Sequence, residues 1–384
     1  RLIRKTLDYE KSTDFGAWRN RVNLVAGVGG FGALVDTILE TATKKIVCDG
    51  IPSTYSTSMT YGSWRSPYCP DPRRFHTAAV QRLTEGSLFW VYIGHGHPYQ
   101  LDRVQVPGAS YPIFTVGDTP KLRGGTPPIA VLLACYTAAY DAPRDCLAEE
   151  LLRADGGPVA VLGGSRVTMP YAMAVLSHGL IEETFKKRRE TLGEILLVAK
   201  QRLVAEEQDD AHRQIVDALA AAVSPAADML PDERREHLAL FNLLGDPLLR
   251  IHHPESVEVS TAVDDLEAGQ TLDVTARSPL AGKCEIELVC RRDRLRNDPP
   301  DRPKFDPAPD SLARLDQDYR DANDRRWLVK SVDLKSPGAI TVPLAVPADA
   351  HGPCHVIVRV SGERTFALGA CDVFIRRLRT PKSE

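Results

Sequence analysis

Between about residues 18 and 252, short apolar stretches alternate with longer amphipathic ones. Strands are expected at 22–26, 45–48, 88–93, 129–134 and 159–162, each apolar on both faces and each followed by glycine or a polar loop. That pattern belongs to parallel strands buried on both sides. Helical periodicity occupies the intervals at 31–43, 73–84, 144–153 and 171–187, with two further helices near 191–206 and 210–223. Strand and helix in alternation predict an α/β domain, a mostly parallel sheet between two helical layers.

The pattern changes after Ile251-His252-His253-Pro254. Helical periodicity stops, and short alternating segments follow at 271–276, 284–290, 327–332, 339–342, 355–360 and 371–375, separated by turn signals such as Ala281-Gly282 and Ser361-Gly362. A small β-sandwich is expected there. Residues 291–326 interrupt it with ten Arg/Lys, nine Asp and five Pro, and read as a solvated excursion or long hairpin. The expected organisation is an N-terminal lead-in (1–17), the α/β domain (18–253) and the sandwich (254–384) with its charged insertion. The tract 55–68, rich in Ser, Thr, Tyr and Trp, reads as a lid over a cleft or a long surface loop.

Composition narrows the function classes. The 384 residues carry 48 basic and 51 acidic side chains, a net charge of -3, which gives no electrostatic reason to expect nucleic acid as partner. No apolar run approaches the roughly 20 residues of a membrane span. The first residue is Arg1, so a fragment or processed form, with a signal or propeptide removed, is an expectation. The eight cysteines are too sparse for a disulfide scaffold and show no CxxC spacing, so neither a structural zinc nor any other metal is expected. Cys284 and Cys290 share a face of one strand too far apart to bond each other, which leaves Cys354 or Cys371 as possible partners.

Three constellations could carry chemistry. Gly27-Val28-Gly29-Gly30-Phe31-Gly32 follows a strand and opens a helix, with Asp49 roughly 20 residues further on, the layout of a dinucleotide fingerprint. The bland alternative is a tight turn at a strand tip. Gly94-His95-Gly96-His97 follows the strand at 88–93, which places His95 at the carboxyl end of a parallel strand, where ligand sites gather. His97 lacks the second glycine flank. Cys135 ends the strand at 129–134, at the same sheet edge. A thiol and an imidazole on successive strand tips suit nucleophilic catalysis, with the Gly96 and Cys135 amides as oxyanion donors.

Gly94-His95-Gly96 with Ala134-Cys135 resembles the gingipain-type cysteine peptidases, peptidase family C25, of caspase-like fold. Asp155 to Arg166, Thr191-Leu192-Gly193-Glu194 and Phe241-Asn242-Leu243-Leu244-Gly245-Asp246-Pro247 resemble later segments of the family. The resemblance implies a caspase-like αβα domain followed by an immunoglobulin-like domain, an endopeptidase acting on protein or peptide without a cofactor, and an exported, extracytoplasmic location. By the family motif His95 is the catalytic histidine, Cys135 the nucleophile and Gly96 the oxyanion glycine. Two departures stand out. Ala138 replaces a glycine frequent in the family, and the first strand ends Ala26-Gly27-Val28-Gly29 where relatives often carry acids.

The resemblance also implies a substrate pocket walled by the loop after the fifth strand, with Ser165, Arg166, Thr168 and Met169 as candidates. Arg166 would favour an acidic side chain, whereas Asp49 would favour Lys or Arg. Two other readings stay open: an NAD(P)- or flavin-dependent oxidoreductase using the glycine run, and a catalytically inactive, peptidase-like binding or adhesion protein.

Overall fold

The computed structural model describes residues 1–28, 50–205 and 210–378. Six strands form the first sheet: β1 (Arg21–Ala26), β2 (Ser56–Tyr61), β3 (Phe89–Ile93), β4 (Ile129–Leu133), β5 (Ala160–Gly164) and β6 (Phe241–Leu244), in the order β6-β5-β4-β3-β1-β2. β1 to β5 run parallel and β6 antiparallel. Alternate residues serve opposite faces, as a pleat requires. Leu24, Phe89, Val131 and Leu162 meet helices α4 (Pro170–Ile181) and α5 (Leu192–Val204) on one side. Trp90, Tyr92, Leu132 and Val161 meet α2 (Phe75–Thr84) and α3 (Leu147–Arg153) on the other. The result is a three-layer αβα sandwich. The strand order reverses between β1 and β3, the position at whose carboxyl edge open α/β sheets gather ligand sites.

The 1–17 lead-in contains helix α1 (Leu2–Lys11), docked through Tyr9, which packs edge-on against Trp18. Lys5 Nζ donates to the Leu152 and Ala154 carbonyls at the end of α3, both at 2.7 Å. Two helices complete the α/β part, α6 (Ala211–Val223) and α7 (Leu230–Leu240). The expected strand at 45–48 and helix at 31–43 lie outside the described residues.

C-terminal to residue 254, β7 (Glu258–Thr261), β8 (Thr271–Ser278) and β11 (Gly338–Ala345) form one sheet; β9 (Gly282–Cys290), β10 (Arg326–Leu334), β12 (Gly352–Ser361) and β13 (Phe366–Arg376) form the long strands of another. Val274, Ile286, Leu288, Leu344 and Val358 from both sheets share one core. The described cysteines, Cys354 and Cys371 among them, are free thiols. Cys290 lies across from Cys354 in the β9–β12 register, and burial pushes the Cys354 thiol up to about 12.

Two sequence expectations require correction. The tract 55–68 is not simply a lid or loop, because its first part is β2, the edge strand of the parallel sheet. The insertion is not a solvated excursion. It carries helix α8 (Pro309–Asn323), which packs on β2. The side-chain amide of Asn323 accepts from the Met59 N–H (2.8 Å) and donates to the Met59 carbonyl (2.9 Å), as a neighbouring strand would. Arg325 donates to the Thr57 carbonyl at 2.6 Å, and Tyr319 Oη bonds the buried Thr60 hydroxyl at 2.8 Å while accepting from Arg82. Arg292 donates to three carbonyls ahead of β2, those of Ile51, Pro52 and Tyr55. Replacing Asn323 by Ala leaves both Met59 backbone groups without these partners. A loss of about 1–3 kcal/mol is expected, read as a lower urea midpoint with unchanged slope; a midpoint equal to wild type would show that water replaces the amide at no cost.

Candidate active site

The candidate residues follow the carboxyl ends of three neighbouring parallel strands, β3, β4 and β5. At the end of β3 the chain turns through Gly94, exposes His95, and pairs Gly96 and His97 with Gln100 and Leu101 in a minimal hairpin. That hairpin returns the chain so that Asp102 lies beside the turn it has just left. The Tyr92 hydroxyl sits beneath both: it donates to the His95 carbonyl (2.8 Å) and accepts from the Asp102 N–H (3.2 Å). Its phenol is pushed strongly upward by burial and by the Asp102 charge, so it stays a neutral donor.

At the end of β4 the chain turns through Ala134 and the half-buried Cys135. Tyr136 takes a left-handed conformation (φ 57°), uncommon for a side chain with a Cβ. The Tyr136 N–H donates to the Arg166 carbonyl (3.0 Å) and the Ala138 N–H to the Gly164 carbonyl (2.9 Å), so the cysteine turn is tied to the loop after β5. Ala138 is fully buried in this turn. The Cys135 sulfur accepts from the Thr168 N–H at 3.3 Å and lies 3.6 Å from the Thr168 hydroxyl.

The histidine and cysteine turns touch backbone to backbone. A Cβ built on Gly96 would lie 2.5 Å from the Cys135 carbonyl oxygen and 2.8 Å from both the Ala134 methyl and Thr137 Cγ2. Only glycine allows this approach, because a methyl group would force the two turns apart.

The remaining sequence candidates divide. Thr168 reaches the sulfur. Met169 is exposed, and its N–H donates to His237 Nε2 at 2.9 Å. Ser165 is buried, with its hydroxyl donating to the Leu240 carbonyl. Arg166 is exposed, and its guanidinium forms a bidentate pair with Asp141 at 3.0 and 2.5 Å. Asp49, Gly29 and Gly32 lie outside the described residues. Gly27 is described, and its N–H donates to the Ile93 carbonyl (2.9 Å) rather than facing a phosphate. Asp102, Tyr92, Asp141 and His237 were not singled out from sequence. Asp102 carried one signal, its place directly after a hairpin that begins at the histidine.

Among the described residues, the His/Cys/acid group with mutually close ligand atoms is His178, Glu182 and Asp210. Arg202 already supplies positive charge there, 2.9 Å from Asp210 and 3.5 Å from Glu182. No helix among the described residues is long and apolar enough to cross a membrane.

The parallel sheet carries His95 and Cys135 just beyond the carboxyl ends of the neighbouring strands β3 and β4. The match to the model of peptidase family C25 spans residues 1–252. The chain belongs to that family and is by class a cysteine peptidase, with proteins or peptides as substrates. Among solved structures, the Arg-specific cysteine proteinase gingipain R (RgpB) is 14% identical with a TM-score of 0.46, covering 98% of this chain and 72% of that one. The complex of Porphyromonas gingivalis RgpB pro- and mature domains gives the same identity, TM-score and coverage of this chain, and 73% of its own. No curated protein matches the chain.

His237 accepts a hydrogen bond from the loop that meets the sulfur. It is fully buried; Nδ1 donates to the Glu233 carbonyl (2.6 Å), so Nε2 must be the bare acceptor for Met169. Burial lowers its pKa below the usual 6.5, against smaller upward pulls from the Glu233 carbonyl and Glu236. The folded state therefore binds fewer protons than the unfolded state once pH drops below about 6.5, and stability falls with further acidification. His237→Gln keeps an acceptor for Met169 without a titrating ring. Its unfolding free energy is expected to fall less steeply than wild type below about pH 6.5; parallel curves would remove His237 from the acid response.

Proposed function

We propose that the chain is a cysteine endopeptidase working through a Cys135–His95 dyad. The observation that carries this reading is the direct contact of the Gly96 and Cys135 turns at the carboxyl ends of β3 and β4. The Cys135 thiol gives its proton to His95 as the sulfur bonds the scissile carbonyl carbon. The Gly96 and Cys135 amides stabilise the oxyanion. When the tetrahedral intermediate collapses, the C–N bond breaks and His95 protonates the leaving amine, leaving a thioester. Water then attacks the thioester with His95 as base, and the proton returns to sulfur as the acid product departs.

The unit 18–253, with its lead-in 1–17, carries the reaction. We assign 254–384 to one immunoglobulin-like β-sandwich with the insertion near 291–326, supported by the division of its long strands between two sheets around one core.

Substrate choice falls to the loop after β5. Its exposed face offers Val167 and Met169, with Tyr140 exposed on the cysteine loop that the Arg166–Asp141 pair ties to it. With Arg166 neutralised by Asp141, the wall favours an apolar or neutral side chain beside the scissile bond. Exposed ion pairs hold weakly, so Asp141→Asn is expected to raise labelling by an Asp-bearing probe relative to a neutral one by roughly threefold or more. An unchanged ratio would take Arg166 out of substrate selection.

The dyad is tested with peptidyl acyloxymethyl ketones carrying Lys, Arg, Asp, Asn or an apolar residue, followed by peptide mapping. Modification is expected on Cys135 alone and about 100-fold slower in His95→Ala. Absence of Cys135 labelling by every probe in folded protein would instead favour the binding-protein reading.

A further inference from the structure

We propose that Cys290 and Cys354 are a redox site of the C-terminal unit, where a small-molecule disulfide oxidises two facing thiols to a bond that clamps the neck of the insertion. The proposal is independent of the peptidase reading, since neither residue belongs to the sheet that carries His95 and Cys135.

The strand register sets the two residues opposite each other. Cys290 ends β9, and Cys354 on β12 pairs with it. The Arg291 N–H donates to the Pro353 carbonyl at 2.9 Å. That bond makes 291/353 a hydrogen-bonded position and leaves 290/354 as the adjoining non-hydrogen-bonded pair. The Cys290 N–H agrees, because it turns away from β12 and donates to the Arg325 carbonyl at 2.8 Å. In such a pair the Cα atoms stand about 4.5 Å apart, within the span a disulfide bridges. Directly opposed residues share a face of the sheet, and both thiols are buried in the core of the C-terminal unit. The unit's other cysteines lack such a partner. Cys284 faces Val332 on β10 and Val360 on β12, and Cys371 faces Val356. Among the described residues, 290/354 is the one pair of cysteines that a register places face to face.

Its position gives the bond a consequence. Cys290 is the last residue before the insertion, and the Arg325 carbonyl that accepts its N–H lies at the insertion's far end. Between them the insertion sends Asn323 to the β2 backbone, and Arg325 itself reaches Thr57. A disulfide closes a loop holding the insertion, β10 and β11, and in the chain-entropy account a long loop gains most from closure. The structure holds the reduced state. Cys290 Sγ donates to the Arg294 carbonyl at 3.4 Å, so a turn at the border of the core covers it, whereas Cys354 lies between β9 and β13. Burial raises both thiols, and Arg325 and Arg296 pull Cys290 back down. Cys290 is therefore the entry point. Its thiolate attacks one sulfur of the small disulfide, and the other half leaves as a thiolate. The Cys354 thiolate then attacks the Cys290 sulfur and expels the second half. The protein thiols give up two electrons, and their two protons end on the two departing thiols.

The test uses the full chain and oxidised glutathione, added to folded protein and, separately, during refolding from urea. Free thiols are then alkylated and the chain is mapped by mass spectrometry without reduction. Refolding exposes both sulfurs, so burial cannot hide the outcome. The expected product is a peptide pair joined through Cys290 and Cys354, with no glutathione on either. Its melting temperature should be higher by roughly 5 °C or more, a gain that dithiothreitol abolishes. Cys354→Ala should leave Cys290 holding glutathione and remove the gain; the wild-type map decides alone if that variant fails to fold. Alkylated Cys290 and Cys354 under both conditions overturn the proposal, as does either residue joined to another cysteine or retaining glutathione in wild type. A Cys290–Cys354 bond that leaves the melting temperature unchanged or lowers it overturns the clamp.

Discussion

The organising constraint is the approach of two strand-tip turns to the limit of backbone contact. Gly96 lies against the Cys135 carbonyl so closely that no side chain fits between them. Everything near the crevice is arranged to hold that approach. The adjacent parallel strands β3 and β4 set its direction. Tyr92 ties down the histidine turn from beneath, and the carbonyls of Gly164 and Arg166 hold the cysteine turn from the side. A rigid, doubly buried sheet is the appropriate base, because its packed interior cannot deform gradually under a substrate.

The second dependency concerns the loop after β5. Its Thr168 end meets the sulfur, its Met169 end hangs on a neutral histidine, and its Arg166 is clamped to the cysteine loop. The surroundings of the Cys135 sulfur are therefore assembled from separate parts of the chain: β4, the β5 loop and helix α7. Such an arrangement lets the exposed face of the loop vary while the thiol keeps its place.

Much of this was legible in sequence for a physical reason. β1, β3, β4 and β5 are apolar on both faces because helices cover both, and a doubly buried strand cannot hide in a sequence. The glycine-flanked His95 and the strand-terminal Cys135 stood out for the same cause, since they follow those runs. β2 did not stand out, because Ser56 to Tyr61 is polar and its outer edge is completed by side chains from α8 rather than by a strand. Helix α8 was concealed in a run of charges that reads as solvated, although several of those charges reach backbone carbonyls of the α/β part. Helix α7 buries only Leu230 and His237, too few positions to show a period.

The bidentate grip of Asn323 on Met59 has a consequence for the history of such chains. An open parallel edge is a template for unwanted pairing, and here its seal is lent by a segment inserted in the other unit. The two halves are therefore not interchangeable modules. A lineage that shed or swapped the C-terminal unit would have to evolve a new border for the parallel sheet at the same time. Recombination between relatives should thus preserve the pair together, even where the C-terminal unit takes no part in chemistry.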